Sequence, residues 1–282
     1  MAEMKTARVG AARVAILNAG DLRLRLAEEM AVPESEWRPQ YAEIFDQPLI
    51  FPSLSVYIEL EGVRLLVDAN DYQATVTPDN PYAIAGYSPP PAIPAQLAGL
   101  GAQPEGITHM VITHAHWDHF AGATTATDGG YAPTFPRASY YLGAAEWRDA
   151  ELQKALQDQA SLEARTLGAL HARGALRLVE GRERIGEGIE ILPAPGETPG
   201  HQIVRVHSQG ETLYVVGDLF HHAIEVERPE WMVTWADRES MLATRSWLTR
   251  DALAERALIV AAHIASPGRI ERAGDGMRWH DA

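Results

Sequence analysis

The sequence has no cysteine among its 282 residues. This absence excludes disulfide bonds, cysteine-ligated zinc, iron–sulfur clusters and a cysteine nucleophile. Any metal site must therefore be built from histidine and carboxylate side chains. The chain can supply them, because it contains 11 His and 38 Asp plus Glu.

Basic residues and long apolar runs are also scarce. The 24 Lys plus Arg leave a formal net charge of −14, which repels a phosphate backbone and argues against a general nucleic-acid binder. Near the N-terminus, the apolar run 14–17 is too short for a signal peptide or a membrane span. We therefore expect a cytoplasmic protein without nucleic-acid or membrane partners.

Short apolar runs and Gly turns predict the secondary structure. Strands are expected at 14–17, 55–60, 63–67, 107–113, 140–142, 176–179, 189–193, 202–207, 212–216 and 258–262. Helices are expected at 93–100, at 144–173 with a break near 158–161, and at 238–256, whereas 22–30 is a short helix or an arm. Strands followed by a helix, twice, predict two mixed sheets packed face to face with helices outside.

Four metal-competent side chains occur within six residues after the strand 107–113, namely His114, His116, Asp118 and His119. In an extended chain, residues two apart point the same way, so His114 and His116 can face one ion. Asp118 and His119 lie beyond the point where the chain must turn and can face another. The alternative, a polar loop with local hydrogen bonds, gives no reason for this spacing.

Three later strand ends carry a single candidate ligand each. His201 precedes the strand 202–207, Asp218 follows the strand 212–216, and His263 follows the strand 258–262. Each alone would be explained more simply as a hydrogen-bonded polar group at a strand end. Beside the first cluster, they indicate further metal ligands.

In this order, these motifs resemble the metallo-β-lactamase superfamily, whose signature is His-x-His-x-Asp-His followed by a His, an Asp and a His at strand ends. The resemblance covers 14–278 and implies an α+β fold, a four-layer αββα sandwich. We expect one domain over 1–282. Its Pro-rich segment 71–94 is predicted to be lid-like, and its helical stretch 144–173 is predicted to be an insertion between sheet strands.

The resemblance implies a dinuclear site. One ion would be held by His114, His116 and His201, and the second by Asp118, His119 and His263, with Asp218 bridging both. Asp68, at the end of the strand 63–67, would orient a ligand histidine, although it could also be a plain turn residue. We expect two divalent ions, Zn²⁺ first, with Mn²⁺, Co²⁺ or Fe²⁺ as alternatives.

Two ions about 3.5–4 Å apart can hold a bridging hydroxide, lower its pKa towards ~7 and make it a nucleophile. Asp118 is then the natural proton carrier to the leaving group. The segment 217–222 looks most like the methyl parathion hydrolase branch, beside the N-acyl homoserine lactone lactonases. Many of those lactonases place a Tyr three residues after the bridging Asp, against the substrate carbonyl. His221 stands there instead, and as a neutral ring it could donate the same hydrogen bond.

Aromatic and apolar residues near these motifs are candidate walls of a substrate pocket. They are Trp117, Phe120, Phe51, Phe220, His221, Trp231, Trp235 and Ile264. For Trp231 and Trp235 the alternative is core packing under the helix 238–256. An apolar pocket beside two ions suits a small uncharged ester or lactone better than a highly charged substrate.

The sequence thus predicts a dinuclear metal hydrolase. Our first interpretation is a lactonase of the N-acyl homoserine lactone type, with promiscuous esterase and phosphotriesterase activity. A dedicated organophosphate or aryl-ester hydrolase, a mononuclear iron oxygenase and a metal-dependent binding protein are the alternatives. A homodimer that packs through an arm at 22–39 is a further hypothesis.

Overall fold

A computed structural model describes residues 5–282, so Met1–Met4 of the predicted domain lie outside the described residues. The strands, in chain order, are β1 (Lys5–Val9), β2 (Ala12–Leu24), β3 (Leu49–Leu60), β4 (Val63–Val67), β5 (His109–Val111), β6 (Thr124–Thr127), β7 (Gly130–Pro133), β8 (Ser139–Gly143), β9 (Leu176–Val179), β10 (Glu183–Gly186), β11 (Ile189–Pro193), β12 (Gln202–Ser208), β13 (Glu211–Val215), β14 (Leu258–Val260), β15 (Gly268–Ala273) and β16 (Gly276–Asp281).

The helices are mostly short, with one long exception near the C-terminus. They are α1 (Leu26–Glu29), α2 (Glu34–Phe45), α3 (Tyr72–Thr75), α4 (Ile93–Gly99), α5 (Trp117–Phe120), α6 (Ala144–Trp147), α7 (Ala150–Ala155), α8 (Ala169–Ala172), α9 (Ile224–Glu227) and α10 (Arg238–Glu255). None of the helices within 5–282 is long and apolar enough to cross a membrane.

Two seven-stranded mixed sheets form the body of the molecule, in the orders β1-β2-β3-β4-β5-β8-β9 and β10-β11-β12-β13-β14-β15-β16. The strands β6 and β7 form a separate hairpin. In each sheet antiparallel hairpins give way to parallel pairs, as between β4 and β5 and between β13 and β14.

Alternation along the strands creates the layers, because successive side chains point to opposite faces of a sheet. Val56 and Ile58 of β3 pack between the two sheets with Val204 of β12, whereas Tyr57 faces the helices outside the first sheet. On the second sheet, Ile259 faces the outer layer that contains α10. The predicted four-layer αββα sandwich is confirmed.

The predicted helical stretch 144–173 has the expected break, at 156–161, and a second break between α6 and α7 that the sequence did not predict. Asp149 accepts hydrogen bonds from the amides of Glu151 and Leu152, which ends α6 and starts α7. After a turn at 156–161, the chain resumes with a π-helical turn, Ala164–Gly168, that leads into α8. A composition that favours helix therefore did not make this segment one continuous helix.

The segments 22–30 and 71–94 both lie close to the strand ends that carry the candidate ligands. The first continues β2 as far as Leu24 and then forms α1. The second contains α3 and irregular turns, and the amide of Arg23 donates to the carbonyl of Tyr82 at 2.9 Å. This bond fixes the second segment along the end of β2.

Candidate metal centre

Seven buried or half-buried side chains form two adjacent groups of potential ligands at the strand ends. The first group is His114, His116, Glu197 and Asp218, and the second is Asp118, His119 and His263. Within each group the ligand atoms all lie within 4.8 Å of one another. The chain after β5 supplies four of these residues, and the chain flanking β11 to β14 supplies the other three.

In the first group, Nε2 of His114 lies 2.8 Å from Nδ1 of His116. The same Nε2 lies 3.6 Å from Oδ2 of Asp218, and Nδ1 of His116 lies 3.6 Å from Oε1 of Glu197. Two donors on a tetrahedral ion with bonds of about 2.0–2.1 Å lie about 3.3–3.4 Å apart. The spacing of this group therefore fits donors around a common ion.

The second group has similar spacing. Oδ2 of Asp118 lies 3.5 Å from Nε2 of His119 and 3.4 Å from Nε2 of His263. Oδ2 of Asp218 lies 3.3 Å from Nε2 of His119 and 3.2 Å from Nε2 of His263. Asp218 thus faces both groups, which is the arrangement required of a bridging carboxylate.

His201 does not join either group, which corrects the ligand set inferred from the sequence. Its Nδ1 lies 3.0 Å from the carbonyl of Ala194, and its Nε2 accepts a hydrogen bond from the amide of Asp218 at 3.3 Å. Both ring nitrogens are therefore engaged by the backbone. Burial lowers the pKa of His201 to about 4, so the neutral ring serves as a hydrogen-bonding spacer.

Glu197 occupies the position expected of His201, and the sequence analysis missed it. The sequence holds two Pro-Gly-X units four residues apart, with Glu197 ending the first and His201 ending the second. This repeat could have indicated that either residue was the ligand. The structure shows that the first unit points into the site, whereas the second leads directly into β12.

The loop that carries Glu197 is fixed against α10. Gly196 has a φ of +148°, and a Cβ at this position would collide with the backbone of Met241. The amide of Asp237 donates to the carbonyl of Gly196 at 2.8 Å, and the hydroxyl of Thr244 donates to the carbonyl of Pro195 at 2.7 Å. Glycine is therefore required here, and the loop has little freedom to move.

Asp68 contacts the second group through His119. Its carboxylate accepts from the amide of Thr113 at 2.7 Å and lies 2.9 Å from Nδ1 of His119. This contact leaves Nε2 of His119 directed at Asp118 and Asp218. Burial raises the pKa of Asp68, although His119 and Thr113 oppose the rise. The geometry is that of a residue that orients a ligand histidine, as expected from the sequence.

Glu146 connects two of the loops and was not anticipated from the sequence. One carboxylate oxygen accepts from the amide of Ala115 at 2.9 Å, and the other accepts from the amide of Gly200 at 3.0 Å. A Cβ on Gly200 would collide with the backbone of Glu146. The start of the helical insertion thus holds the two loops together.

The residues present fit divalent metal ions. Nε2 of His119, Oδ1 of Asp218 and Oε2 of Glu197 are buried and have no hydrogen-bond partner within 5–282. Buried polar atoms rarely remain unpaired without a ligand to account for them. Burial, together with the neighbouring His119 and His116, lowers the pKa of His114 well below its ordinary value. His114 therefore presents the free lone pair that a metal requires.

His221 lies at the edge of this centre. Its Nε2 is 3.4 Å from Oδ2 of Asp218 and 3.7 Å from Oε1 of Glu197. Burial alone would lower its pKa, but Glu197, Asp218 and Glu225 outweigh burial and raise the pKa of His221 well above its ordinary value. The surrounding carboxylates thus favour a protonated ring over the neutral ring expected from the sequence.

The loop containing His221 is held by a buried ion pair. The carboxylate of Glu225 accepts from the amides of His221 and His222, and it also accepts from Nη2 of Arg245 at 2.5 Å. Arg245 is 1% exposed and donates further to the carbonyls of Leu219 and Pro229. Burial opposes ionisation of Glu225, but Arg245 and His221 lower its pKa to about 2.

A cavity of about 260 Å³ opens onto both ligand groups. Its walls and floor are Leu22, Leu24, Leu26, Glu29, Met30, Phe51, Tyr82, His116, Trp117, Asp118, Asp218, His221, Val233, Trp235 and His263. The expected pocket residues Phe51, Trp117, Trp235 and His221 are among them. The leucines come from the end of β2 and from α1, and Met30 directly follows α1; the sequence did not connect these elements with the site.

The other four expected pocket residues do not line this cavity. Phe120 is fully buried in the core outside the first sheet, and Phe220 and Ile264 pack in the core under α10. Trp231 packs edge-on against Tyr41 and Phe45. Proximity in sequence to a ligand was a poor guide, because adjacent positions on a turn face opposite directions.

Trp235 shows the opposite outcome to Trp231. It is 47% exposed at the cavity wall, and its indole Nε1 donates to Oε1 of Glu197 at 2.6 Å. Core packing therefore applies to Trp231, although against α2 rather than under α10 as expected, and it does not apply to Trp235.

With the geometry established, comparison with known proteins identifies the family. The profile described as the Metallo-beta-lactamase superfamily matches residues 85–263, which is more than half of the chain. The chain belongs to this superfamily. Its candidate ligands and αββα layers are those of a metallo-hydrolase of this superfamily, with Glu197 as the departure noted above.

Relatives within the superfamily include lactonases. An N-acyl homoserine lactonase from Bacillus cereus is 24% identical over 123 residues, which is 43% of this chain and 41% of the relative. The chain aligns with about two fifths of the length of the curated relatives that it matches.

Solved structures share the fold over nearly the whole chain. The hydrolase AbOPH has a TM-score of 0.80 at 17% identity and covers 100% of this chain and 98% of its own. AidC, a dizinc quorum-quenching lactonase in complex with the product N-hexanoyl-L-homoserine, has a TM-score of 0.76 at 19% identity, covering 99% and 97%. At these low identities, the comparison shows that this chain has the same fold as both proteins.

Proposed function

We propose that this protein is a dinuclear metal-dependent lactonase that hydrolyses uncharged N-acyl homoserine lactones. The observation that carries the proposal is the cavity, because its mostly apolar walls end directly on both groups of metal ligands. The lactonases among its relatives and structural neighbours support the same substrate class.

The charge of the cavity favours a neutral substrate. Glu29, Asp118 and Asp218 contribute carboxylates to its lining, while neither Lys nor Arg lines it in the described part of the chain. An anionic substrate would therefore meet no fixed cationic side chain apart from histidine. Leu22, Leu24 and Met30 offer the apolar surface that an acyl chain can bury.

Bound divalent ions would activate water and polarise the scissile carbonyl. His114, His116, Glu197 and Asp218 would hold the first ion, and Asp118, His119, His263 and Asp218 the second. His221 faces the cavity beside Asp218 and is placed to donate a hydrogen bond to the substrate carbonyl oxygen. Asp118 also lines the cavity, where its carboxylate can accept the proton given up by the attacking water and pass it to the leaving oxygen.

One preparation tests the proposal by metal quantitation and a substrate panel. The panel contains N-hexanoyl and N-decanoyl homoserine lactone, an aryl ester and a phosphotriester. We expect two metal ions per chain and fastest turnover of the lactones, lost on chelation and restored by metal. Fast aryl-ester or phosphotriester cleavage without lactone turnover would instead establish a dedicated ester or organophosphate hydrolase. One iron per chain with oxygen consumption would establish an oxygenase.

A further inference from the structure

Glu197 is a buried carboxylate with too few partners. Its side chain is fully buried, and Oε1 accepts one hydrogen bond, from the indole of Trp235 at 2.6 Å. Oε2 is buried without a hydrogen-bond partner among residues 5–282. A buried carboxylate requires compensation by a cation or by several hydrogen bonds, and one indole N–H is a small part of that.

His221, beside Glu197, brings positive charge near the carboxylate but makes no hydrogen bond to it. Nε2 of His221 lies 3.7 Å from Oε1, beyond the 2.7–3.2 Å typical of N–H···O hydrogen bonds. Nδ1 of His116 lies 3.6 Å away and belongs to the same ligand group. A cation between His114, His116, Asp218 and Glu197 would satisfy all four side chains together.

We propose that Glu197 is a protein ligand of the first metal ion, and that it shifts the preference of this site from Zn²⁺ towards Mn²⁺. The inference rests on the metal dependence of the proposed function. The donor set becomes two imidazoles and two carboxylates, with His201 excluded because its ring nitrogens are engaged by Ala194 and Asp218.

The chemistry of the donors gives the direction of the preference. Carboxylate oxygens suit Mn²⁺ and other hard ions, whereas imidazole nitrogens suit Zn²⁺ as well as Fe²⁺. Zn²⁺ is bound more tightly than Mn²⁺ by nearly every such site. The inference therefore concerns the ratio of the two affinities, which a carboxylate in place of a histidine raises in favour of Mn²⁺.

The experiment compares metal binding by the metal-free full chain and by Glu197→His and Glu197→Gln. Calorimetric titrations with Mn²⁺ alone and Zn²⁺ alone give the affinities of both sites, and elemental analysis gives the stoichiometry. Glu197→His should lower the Mn²⁺-to-Zn²⁺ affinity ratio at one site by roughly 10- to 100-fold, the scale known even for residues that only support a ligand. Glu197→Gln should weaken Mn²⁺ binding at that site while circular dichroism stays unchanged.

Trp235→Phe is the matched control, because it removes the hydrogen bond to Oε1 and retains the donor set. Its affinity ratio should equal that of the wild type. If Glu197 only anchors Trp235, Trp235→Phe will reproduce the effect of Glu197→Gln and overturn the proposal. An unchanged ratio in both Glu197 variants overturns it as well. By contrast, fewer than two ions in the wild type would refute the dinuclear function itself.

Electron paramagnetic resonance of the Mn²⁺-loaded chain provides a second measurement that is independent of turnover. Wild type and Trp235→Phe should give the same spectrum, whereas Glu197→His should alter it through an added nitrogen donor. Identical spectra for wild type and Glu197→His would show that position 197 is outside the coordination sphere.

Discussion

Buried carboxylates outside the two ligand groups hold the loops after β5, β11 and β13 in place. Asp68 accepts from the amide of Thr113, Glu146 from those of Ala115 and Gly200, and Glu225 from those of His221 and His222. Each of these carboxylates is at most 3% exposed. Charge-assisted hydrogen bonds to backbone amides are strong and directional, so the ligands are positioned before any ion binds.

Glu146→Gln tests this positioning at a single residue. The side-chain amide nitrogen cannot accept a hydrogen bond, so either Ala115 or Gly200 loses its acceptor. We expect metal affinity to fall by roughly 10- to 100-fold and the free energy of unfolding to fall by about 1–3 kcal/mol. Calorimetric metal titration and chemical denaturation measure the two effects.

The matched control for this variant is Glu151→Gln, on α7 of the same insertion, where the side chain is 84% exposed. It should change neither quantity beyond error. Equal metal affinities for Glu146→Gln and the wild type would show that the two loops hold their geometry without Glu146.

At the scale of elements, the sequence predicted the strands whose alternation or apolar run is strong, and all the candidate ligands at their ends except Glu197. β12, β13 and β14 all fall within a residue or two of the expected bounds. Strands β15 and β16 were missed because they lack an apolar pattern. They carry Arg, Glu and Asp at exposed or half-buried positions. The sequence could not distinguish Glu197 from His201, because the choice depends on which Pro-Gly-X unit faces the site.

The residues of the cavity wall from β2 could also not be predicted from the sequence. Leu22 and Leu24 belong to a segment that reads as a mixed helix or arm, yet β2 extends through it by pairing with Phe51 and Leu49 of β3. Tertiary pairing thus overrode the local pattern, and it turned an apparent surface arm into the wall beside the metal ligands.

Leu24→Ala tests the role of this strand end in substrate selection. Leu24 is half-buried at the cavity wall, so its truncation should leave the fold intact while it removes surface that a long acyl chain would bury. We expect kcat/KM for N-decanoyl relative to N-hexanoyl homoserine lactone to fall roughly fivefold, equivalent to about 1 kcal/mol of lost apolar contact.

Steady-state kinetics on both lactones measure this ratio, with Leu178→Ala as control. Leu178 is 38% exposed on β9 and does not line the cavity. A parallel loss for both lactones in Leu24→Ala would mean that the acyl chain does not reach this wall.

At the scale of the whole molecule, the candidate metal centre joins the two halves of the sandwich. The first half supplies His114, His116, Asp118 and His119, and the second supplies Glu197, Asp218 and His263. Further bonds cross the same seam, such as the side chain of Gln202 to the carbonyl of Ile112 at 2.9 Å.

The buried Glu225–Arg245 pair makes the stability of the entire chain depend on acid pH. The pKa of Glu225 falls from an ordinary 4.5 to about 2 in the folded protein, because Arg245 and His221 outweigh the effect of burial. A depressed folded-state pKa contributes stability above the unfolded-state value and loses it as the pH falls towards the folded-state value. This contribution is therefore complete above about pH 4.5 and disappears towards pH 2. Its size is about 3 kcal/mol at neutral pH.

Denaturation of the chelated wild type and of Glu225→Gln across this range measures the contribution, since chelation removes the effect of metal loss in acid. The difference in the free energy of unfolding should be largest at neutral pH and should shrink steadily between pH 4.5 and 2. The substitution keeps the side-chain volume but leaves Arg245 without a counter-charge, so the variant should be less stable at pH 7 by about 3–5 kcal/mol. A difference that stays constant from pH 7 to pH 3 would mean that the pair contributes by shape and hydrogen bonding, independently of its charge.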